Sequence, residues 1–155
     1  VALLPLSLPS KDQVDAGRPL FAQALKIDPD NSEALAGKAR TTIVEYVYAP
    51  TVDTDYDAAI LGLVDRAIAL DRGNVHAYRT KGQYQAISGR PEDAVRAFDA
   101  GLAINPNAAG LLPMRGNAED YLRRFEQANI RYPTAVLLSP RDPCDGPVVQ
   151  SARPH

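Results

Sequence analysis

The sequence has no tryptophan, one cysteine, one methionine and two histidines. With Cys144 alone, no intrachain disulfide can form, so the fold has to be held by packing, and a reducing, cytoplasmic setting is expected. His155 is the last residue, and His76 has no neighbouring Cys, Asp or Glu at metal-ligand spacing, so no metal and no cofactor are expected. Cys-x-x-Cys, glycine-rich phosphate-loop and Gly-x-Ser-x-Gly patterns are all missing, and with them the usual marks of redox, nucleotide and acyl-transfer sites. No apolar run approaches the roughly 18–20 residues of a membrane span. Nor is there an excess of one charge: 17 basic against 19 acidic residues leave a net charge of −2, which argues against a general binder of nucleic acid or anionic membrane. The acid pair Glu92-Asp93 falls in the first turn of a predicted helix, where negative charge complements the helix dipole, and Glu119-Asp120 gets the same structural reading. Cys144 has no histidine partner, and the tyrosines have no accompanying basic stripe. The chain is therefore not expected to be an enzyme.

What the sequence does have is apolar residues (45% of 155) and an internal repeat. Val1–Pro9 is apolar but broken by Pro5 and Pro9 and has no basic flank, so residues 1–13 are expected to be an irregular leader rather than a signal peptide. Beyond it, Ile27-Asp28-Pro29-Asp30-Asn31, Leu70-Asp71-Arg72-Gly73-Asn74, Ile104-Asn105-Pro106-Asn107 and Leu138-Ser139-Pro140-Arg141-Asp142 end alike. Pro106 and Pro140 are 34 positions apart, as are Asp71 and Asn105, while Asp28 and Asp71 are 43 apart, which is the same period plus a nine-residue insertion. A proline stops the preceding helix, and the Asp or Asn after it can cap the next.

With Pro106 set at position 32, position 8 holds Ala39, Gly82 and Gly116, position 20 holds Gly17, Ile60, Ala94 and Ala128, and position 27 holds Ala24, Ala67, Gly101 and Ala135. Apart from Ile60 these are Ala or Gly, as close approach of paired helices demands. Position 24 holds the bulky Phe21, Val64, Phe98 and Tyr132. On these residues, and most closely on Tyr78, Gly82, Gly89, Ala94, Phe98 and Pro106, the chain resembles the tetratricopeptide repeat family over about residues 14–142. The resemblance implies an all-α fold, a right-handed α-solenoid of antiparallel helix pairs, divided into a half unit 14–31 and units at about 32–74, 75–108 and 109–142.

The pattern places helices at roughly Asp15–Ile27 (with Pro19 as a possible first-turn start), Ser32–Tyr48, Asp57–Leu70 capped by Thr54 or Asp55, Val75–Ser88 capped by Asn74, and Pro91–Ile104. In the fourth unit a helix from Leu112–Pro113 to Arg123 is expected to turn at Arg123-Arg124 into a second helix, 125–138. Residues 143–155, punctuated by Pro143, Pro147 and Pro154, read as a disordered tail. No capping helix follows the last pair, so its apolar edge is expected to be covered by a second copy of the chain or by further chain.

In the tetratricopeptide family the first helices of successive units line a concave groove. The resemblance implies that Arg40, His76, Arg79, Gln83 and Asn117 face a partner protein or peptide, gripping its backbone or a carboxylate. Position 7 carries Lys38, Lys81 and Arg115 where the family has a large apolar residue. Two readings of it stand: alkyl stems packed with their charges at the rim, or a basic ladder for an acidic partner. The function expected is a non-catalytic interaction scaffold. The alternative is a regulatory or assembly segment of a larger signalling enzyme. The insertion after Ser32–Tyr48, the Glu33-Ala34-Leu35-Ala36-Gly37 opening and the Leu138–Pro143 close resemble repeat segments that follow the catalytic domain of bacterial adenylate/guanylate cyclases.

Overall fold

The computed structural model describes residues 9–128, and these are all-helical, with no strand among them. Six α-helices follow in order: α1 (Lys11–Ile27), α2 (Ser32–Tyr48), α3 (Gly62–Leu70), α4 (Val75–Ile87), α5 (Pro91–Ile104) and α6 (Leu111–Ala128). A π-helical turn, Asp57–Leu61, runs straight into α3.

Three corners between helices share one hydrogen-bond pattern. At the end of α1, Asp28 N donates to Ala24 O (2.8 Å), Asp30 N to Asp28 Oδ1 (3.1 Å) and Asn31 N to Asp28 O (3.2 Å). At the end of α3 the same bonds join Asp71 N to Ala67 O (2.9 Å), Gly73 N to Asp71 Oδ1 (2.9 Å) and Asn74 N to Asp71 O (3.1 Å). At the end of α5 they join Asn105 N to Gly101 O, Asn107 N to Asn105 Oδ1 and Ala108 N to Asn105 O, all at 3.0 Å. The corner is thus set by the Asp or Asn side chain, which captures the amide two residues on. Arg72 replaces the proline of the other two corners without changing the geometry. Asn31 and Asn74 then cap the next helices, accepting from Ala34 N (2.9 Å) and Ala77 N (3.1 Å).

Consecutive helices pack on one another, and α4 also touches both α2 and α6, so that α2, α4 and α6 form a row. The core follows that row. Leu35, Ala36, Ala67 and Ala77 form one cluster; Ala39, Ile43, Ile60, Val64, Tyr84 and Ile87 lie at the heart of a second; Ala94, Phe98, Leu111, Met114 and Ala118 form a third. Small residues sit where the register put them. A Cβ built on Gly82 would lie 2.7 Å from Phe98 Cδ1, and one on Gly101 3.0 Å from Leu111 Cδ1. At Gly116 such a Cβ meets nothing within 4 Å among the described residues, and the helix 125–138 expected to pack there lies largely outside them.

Three expectations need correcting. Helix α1 begins at Lys11, inside the expected leader, and Pro19 lies in its interior. The reason is a reciprocal cap: Gln13 N donates to Ser10 Oγ (3.3 Å) while Ser10 N donates to Gln13 Oε1 (3.0 Å). Secondly, no corner forms at Arg123-Arg124, and α6 runs through it. The corresponding corner after α4 has Gly89 at φ 80°, a conformation that suits glycine, whereas Arg123 and Arg124 are good helix formers. Thirdly, Asp57–Leu70 is not one regular helix, since its first turn is π-helical; Asp55 caps it as expected, accepting from Ala58 N (3.0 Å). The expected helix 125–138 past Ala128, the tail 143–155, Tyr132, Ala135, Cys144 and His155 lie outside the described residues.

Candidate functional site

One face of α2 presents Glu33, Ala36, Gly37 and Arg40, spaced by three and four residues, and one face of α4 presents His76, Arg79 and Thr80 in the same spacing. With Phe21 of α1 they line a half-open cavity of about 150 Å³. Gly37 makes the third wall possible. A Cβ there would lie 2.7 Å from Phe21 Cδ1, so the ring reaches α2 only because residue 37 has no side chain. Ala36 is buried at the floor, whereas Glu33 and His76 are exposed at the rim. Thr80 Oγ1 donates back to His76 O (2.8 Å), which leaves the hydroxyl oxygen free to accept.

The chemistry of the cavity is cationic. Burial, and secondarily the charge of Arg79, hold the Arg40 guanidinium below its usual pKa, so two like charges stand close together on adjacent helices. Arg79 is half-buried, and its Nε is buried with no hydrogen-bond acceptor among the described residues. Its guanidinium points towards the start of α6, because a Cβ on Gly110 (φ 86°) would be 3.8 Å from Arg79 Nη2. A buried N–H without an acceptor costs roughly 1–3 kcal/mol, and more for a charged group.

Of the five groove residues expected from the sequence, Arg40, His76 and Arg79 come together in this cavity. Gln83 and Asn117 do not line it: Gln83 is 1% exposed one turn farther along α4, and Asn117 is half-buried on α6. The expected basic ladder is largely committed within the fold. Lys81 Nζ binds Asp65 Oδ1 (2.7 Å), and Arg115 pairs with Asp99 and with Glu119 (2.9 Å). Asp65 and Asp99 each precede their cation by 16 residues, so the two pairs occupy the same place in successive units. The residue 16 before the exposed Lys38 is Ala22, which offers no carboxylate. The sequence register places Phe21 in helix packing and gives Gly37 no role, so their part in this cavity is not foreseen by it. The signal that marks them is a glycine outside the position-8 register facing an aromatic on the previous helix.

A second, open recess lies where the insertion rejoins the fold, lined by residues that include Tyr46, Asp55, Tyr56, Asp57, Tyr84 and Arg90. Its groups are largely satisfied among themselves. Tyr84 Oη donates to Asp57 (2.7 Å), Arg90 Nη2 binds the same carboxylate (2.6 Å) and stacks over the Tyr84 ring, and Thr51 N donates to Tyr56 Oη (3.0 Å). Tyr46 packs edge-on against Tyr84 and tilted against Tyr56. Among the described residues, no group of three or more His, Cys, Asp or Glu side chains is placed to hold a metal ion, and no helix is long and apolar enough to cross a membrane.

Neither protein-family models, curated proteins nor solved structures gave a match to this chain. The tetratricopeptide resemblance therefore stands on the residues quoted for it.

Proposed function

We propose that the protein is a non-catalytic interaction scaffold of tetratricopeptide type that receives a segment of a partner protein along the face of α2 and α4. The observation that carries this reading is the convergence of Arg40, His76 and Arg79, from two helices 43 residues apart in the repeat, on one cavity walled by Phe21. Two half-buried guanidinium groups supply charge and directional donors, and the apolar wall and floor supply contact area. A peptide-display selection on the intact chain tests it. Selected peptides should lose binding when Arg40 and Arg79 are replaced by alanine and keep it when Lys81 is replaced. Binders indifferent to the arginine pair would overturn the assignment.

The second reading is an assembly segment of a larger signalling enzyme, with any nucleotide chemistry outside this chain. It is favoured by apolar exposure on α1, where Leu20 is 64% and Ile27 80% exposed and Val14 alone is buried. Light scattering checks it: a dimer that Leu20→Lys with Ile27→Lys converts to monomer supports assembly, and a monomeric starting protein removes it for this face.

A further inference from the structure

Helix α1 leaves open a face that its counterparts in the repeat bury. Residues 17, 20, 21 and 24 of α1 correspond to 60, 63, 64 and 67, and again to 94, 97, 98 and 101 of α5. Ile60, Val64 and Ala67 are fully buried. In α5, Ala94, Ala97, Phe98 and Gly101 are all buried, with Phe98 against Gly82 and Ala97 beside Tyr78, Lys81 and Gln85 of α4. In α1, by contrast, Leu20 is 64% exposed, and Gly17, Phe21 and Ala24 are only half-buried. Helix α6 shows the complementary face. Leu112 is 60% exposed where the corresponding Leu35 is 2% exposed. At Gly116 a Cβ meets nothing within 4 Å among the described residues, whereas the corresponding Gly82 receives the Phe98 ring. We propose that these two faces take each other: the chain assembles head to tail, with α6 of one copy lying antiparallel to α1 of the next and completing a helix pair like α4–α5. This rests on the assembly reading and gives it a geometry.

Shape and charge both favour a second copy as the occupant. Leu112 and Gly116 stand at the places of Tyr78 and Gly82, and Phe21 and Ala24 at those of Phe98 and Gly101, so the pairing sets a large residue opposite a small one at both levels. In the α4–α5 pair the end of the first helix stands beside the start of the second. The same arrangement brings Arg123 and Arg124, near the end of α6, to Asp12 and Asp15 in the first turns of α1. Arg123 and Asp15 hold only exposed pairs on their own helices, with Asp120 (3.2 Å) and Lys11 (2.8 Å), and such pairs exchange at little cost. The chain's own continuation is a poorer fit to α6. Ala128, which the register assigns to the second helix of that pair, already belongs to α6, and Pro133 and Pro140 break the sequence that follows. Pro5 and Pro9 break the sequence before α1 in the same way. Because the two faces differ, the contact does not close on itself, and each added copy presents a fresh end.

The test uses the intact chain in sedimentation equilibrium from about 10 μM to about 1 mM, the range suited to a contact of one helix pair, smaller than the roughly 1,200–2,000 Å² of stable complexes. The average mass should keep rising with concentration past that of a dimer. Two variants each block one end: Gly17→Lys with Leu20→Lys on α1, and Leu112→Lys with Gly116→Lys on α6. Each alone should be monomeric at every concentration. Their equal mixture should form a one-to-one dimer and nothing larger, because each keeps the face that the other has lost. Arg123→Glu with Arg124→Glu should weaken association about tenfold or more, and mixing with Asp12→Lys, Asp15→Lys chains should restore it. A urea midpoint for each variant confirms that it folds. A dimer that the α6 substitutions leave intact would overturn the head-to-tail geometry while preserving assembly through α1. A mixture of the two blocked variants that stays monomeric would also overturn it. A parent chain that is monomeric throughout would overturn this geometry and the assembly reading together; a urea midpoint lowered by the α6 substitutions in that monomer would then assign the α6 face to the chain's own residues.

Discussion

Gly82 and Gly62 both lie within helices, yet their surroundings set opposite expectations. In a helix interior, alanine is favoured over glycine by about 1 kcal/mol. At Gly82 that gain meets the Phe98 ring, which is 2% exposed and has nowhere to go, so overpacking of roughly 1–3 kcal/mol should win and Gly82→Ala should destabilise. Gly82→Leu should cost more. At Gly62, which is exposed and has nothing among the described residues within 4 Å of a built Cβ, nothing opposes the gain, and Gly62→Ala should stabilise by up to about 1 kcal/mol. Urea midpoints of the two alanine variants decide it, and equal signs would contradict the packing described. Tyr84 gives a pH signature at the same scale. Burial, and then the hydrogen bond to Asp57, push its phenol pKa well above the usual value, while that same bond, with Arg90, holds Asp57 below the usual carboxylate range. A raised phenol pKa contributes stability that is complete below about pH 10 and is lost as pH rises above it; a lowered carboxylate pKa contributes stability that is lost as pH falls below about 4. Tyr84→Phe should flatten the alkaline arm of a stability–pH curve and cost about 1–2 kcal/mol at neutral pH through the lost bond to a charged acceptor.

At the scale of elements, the corners decide where helices stop. Asn74 caps α4 through Ala77 N and also donates to Ser32 Oγ (2.7 Å), whose own hydroxyl donates to Ala67 O (2.9 Å), so one side chain ties the starts of α2 and α4 to the end of α3. Asn74→Ala removes a cap worth about 1 kcal/mol and a second, buried bond, and should cost about 2 kcal/mol; Asn31→Ala, with its single cap bond, should cost about half that. Chemical denaturation of both variants measures the difference. These corners were legible in the sequence because an Asp or Asn at a fixed spacing from a small residue acts locally. The start of α1 is not legible from residue preferences, since Pro9 and Pro19 argue against a helix there, whereas the value of the Ser10–Gln13 pair lies in a reciprocal bond and not in either residue alone. The absent corner at Arg123-Arg124 shows the converse: without a residue suited to positive φ, the repeat's turn is not made and the helix continues. Arg40, His76 and Arg79 could be placed on one side of the stack by counting positions. The wall opposite them could not, since the approach of Phe21 to Gly37 depends on how α1 crosses α2.

On the scale of the whole molecule, stability is unevenly spread, and the candidate site straddles the weak end. Helix α4 packs against α2, α3, α5 and α6, whereas α1 packs on α2 and buries only Val14. Within α1, Pro19 offers no N–H to Asp15 O, so the helix lacks one of its interior bonds. In a row of elements that each lean on their neighbours, such an end should open at a lower free energy than the centre. Opening α1 withdraws Phe21 from the cavity while leaving Arg40 and Arg79 in place, so the fraction of molecules with a complete site is the fraction with α1 closed. Pro19→Ala restores the missing donor and should stabilise α1 by about 1–2 kcal/mol. Amide exchange in residues 20–27 should then slow by roughly tenfold, with α4 and α5 unchanged, and affinity for a ligand in the cavity should rise only as far as the open state had been populated in the parent chain. If the same substitution slowed exchange equally in α1 and α4, the described helices would open as one cooperative unit, and Phe21 could not act as a wall that moves independently of the arginines it faces.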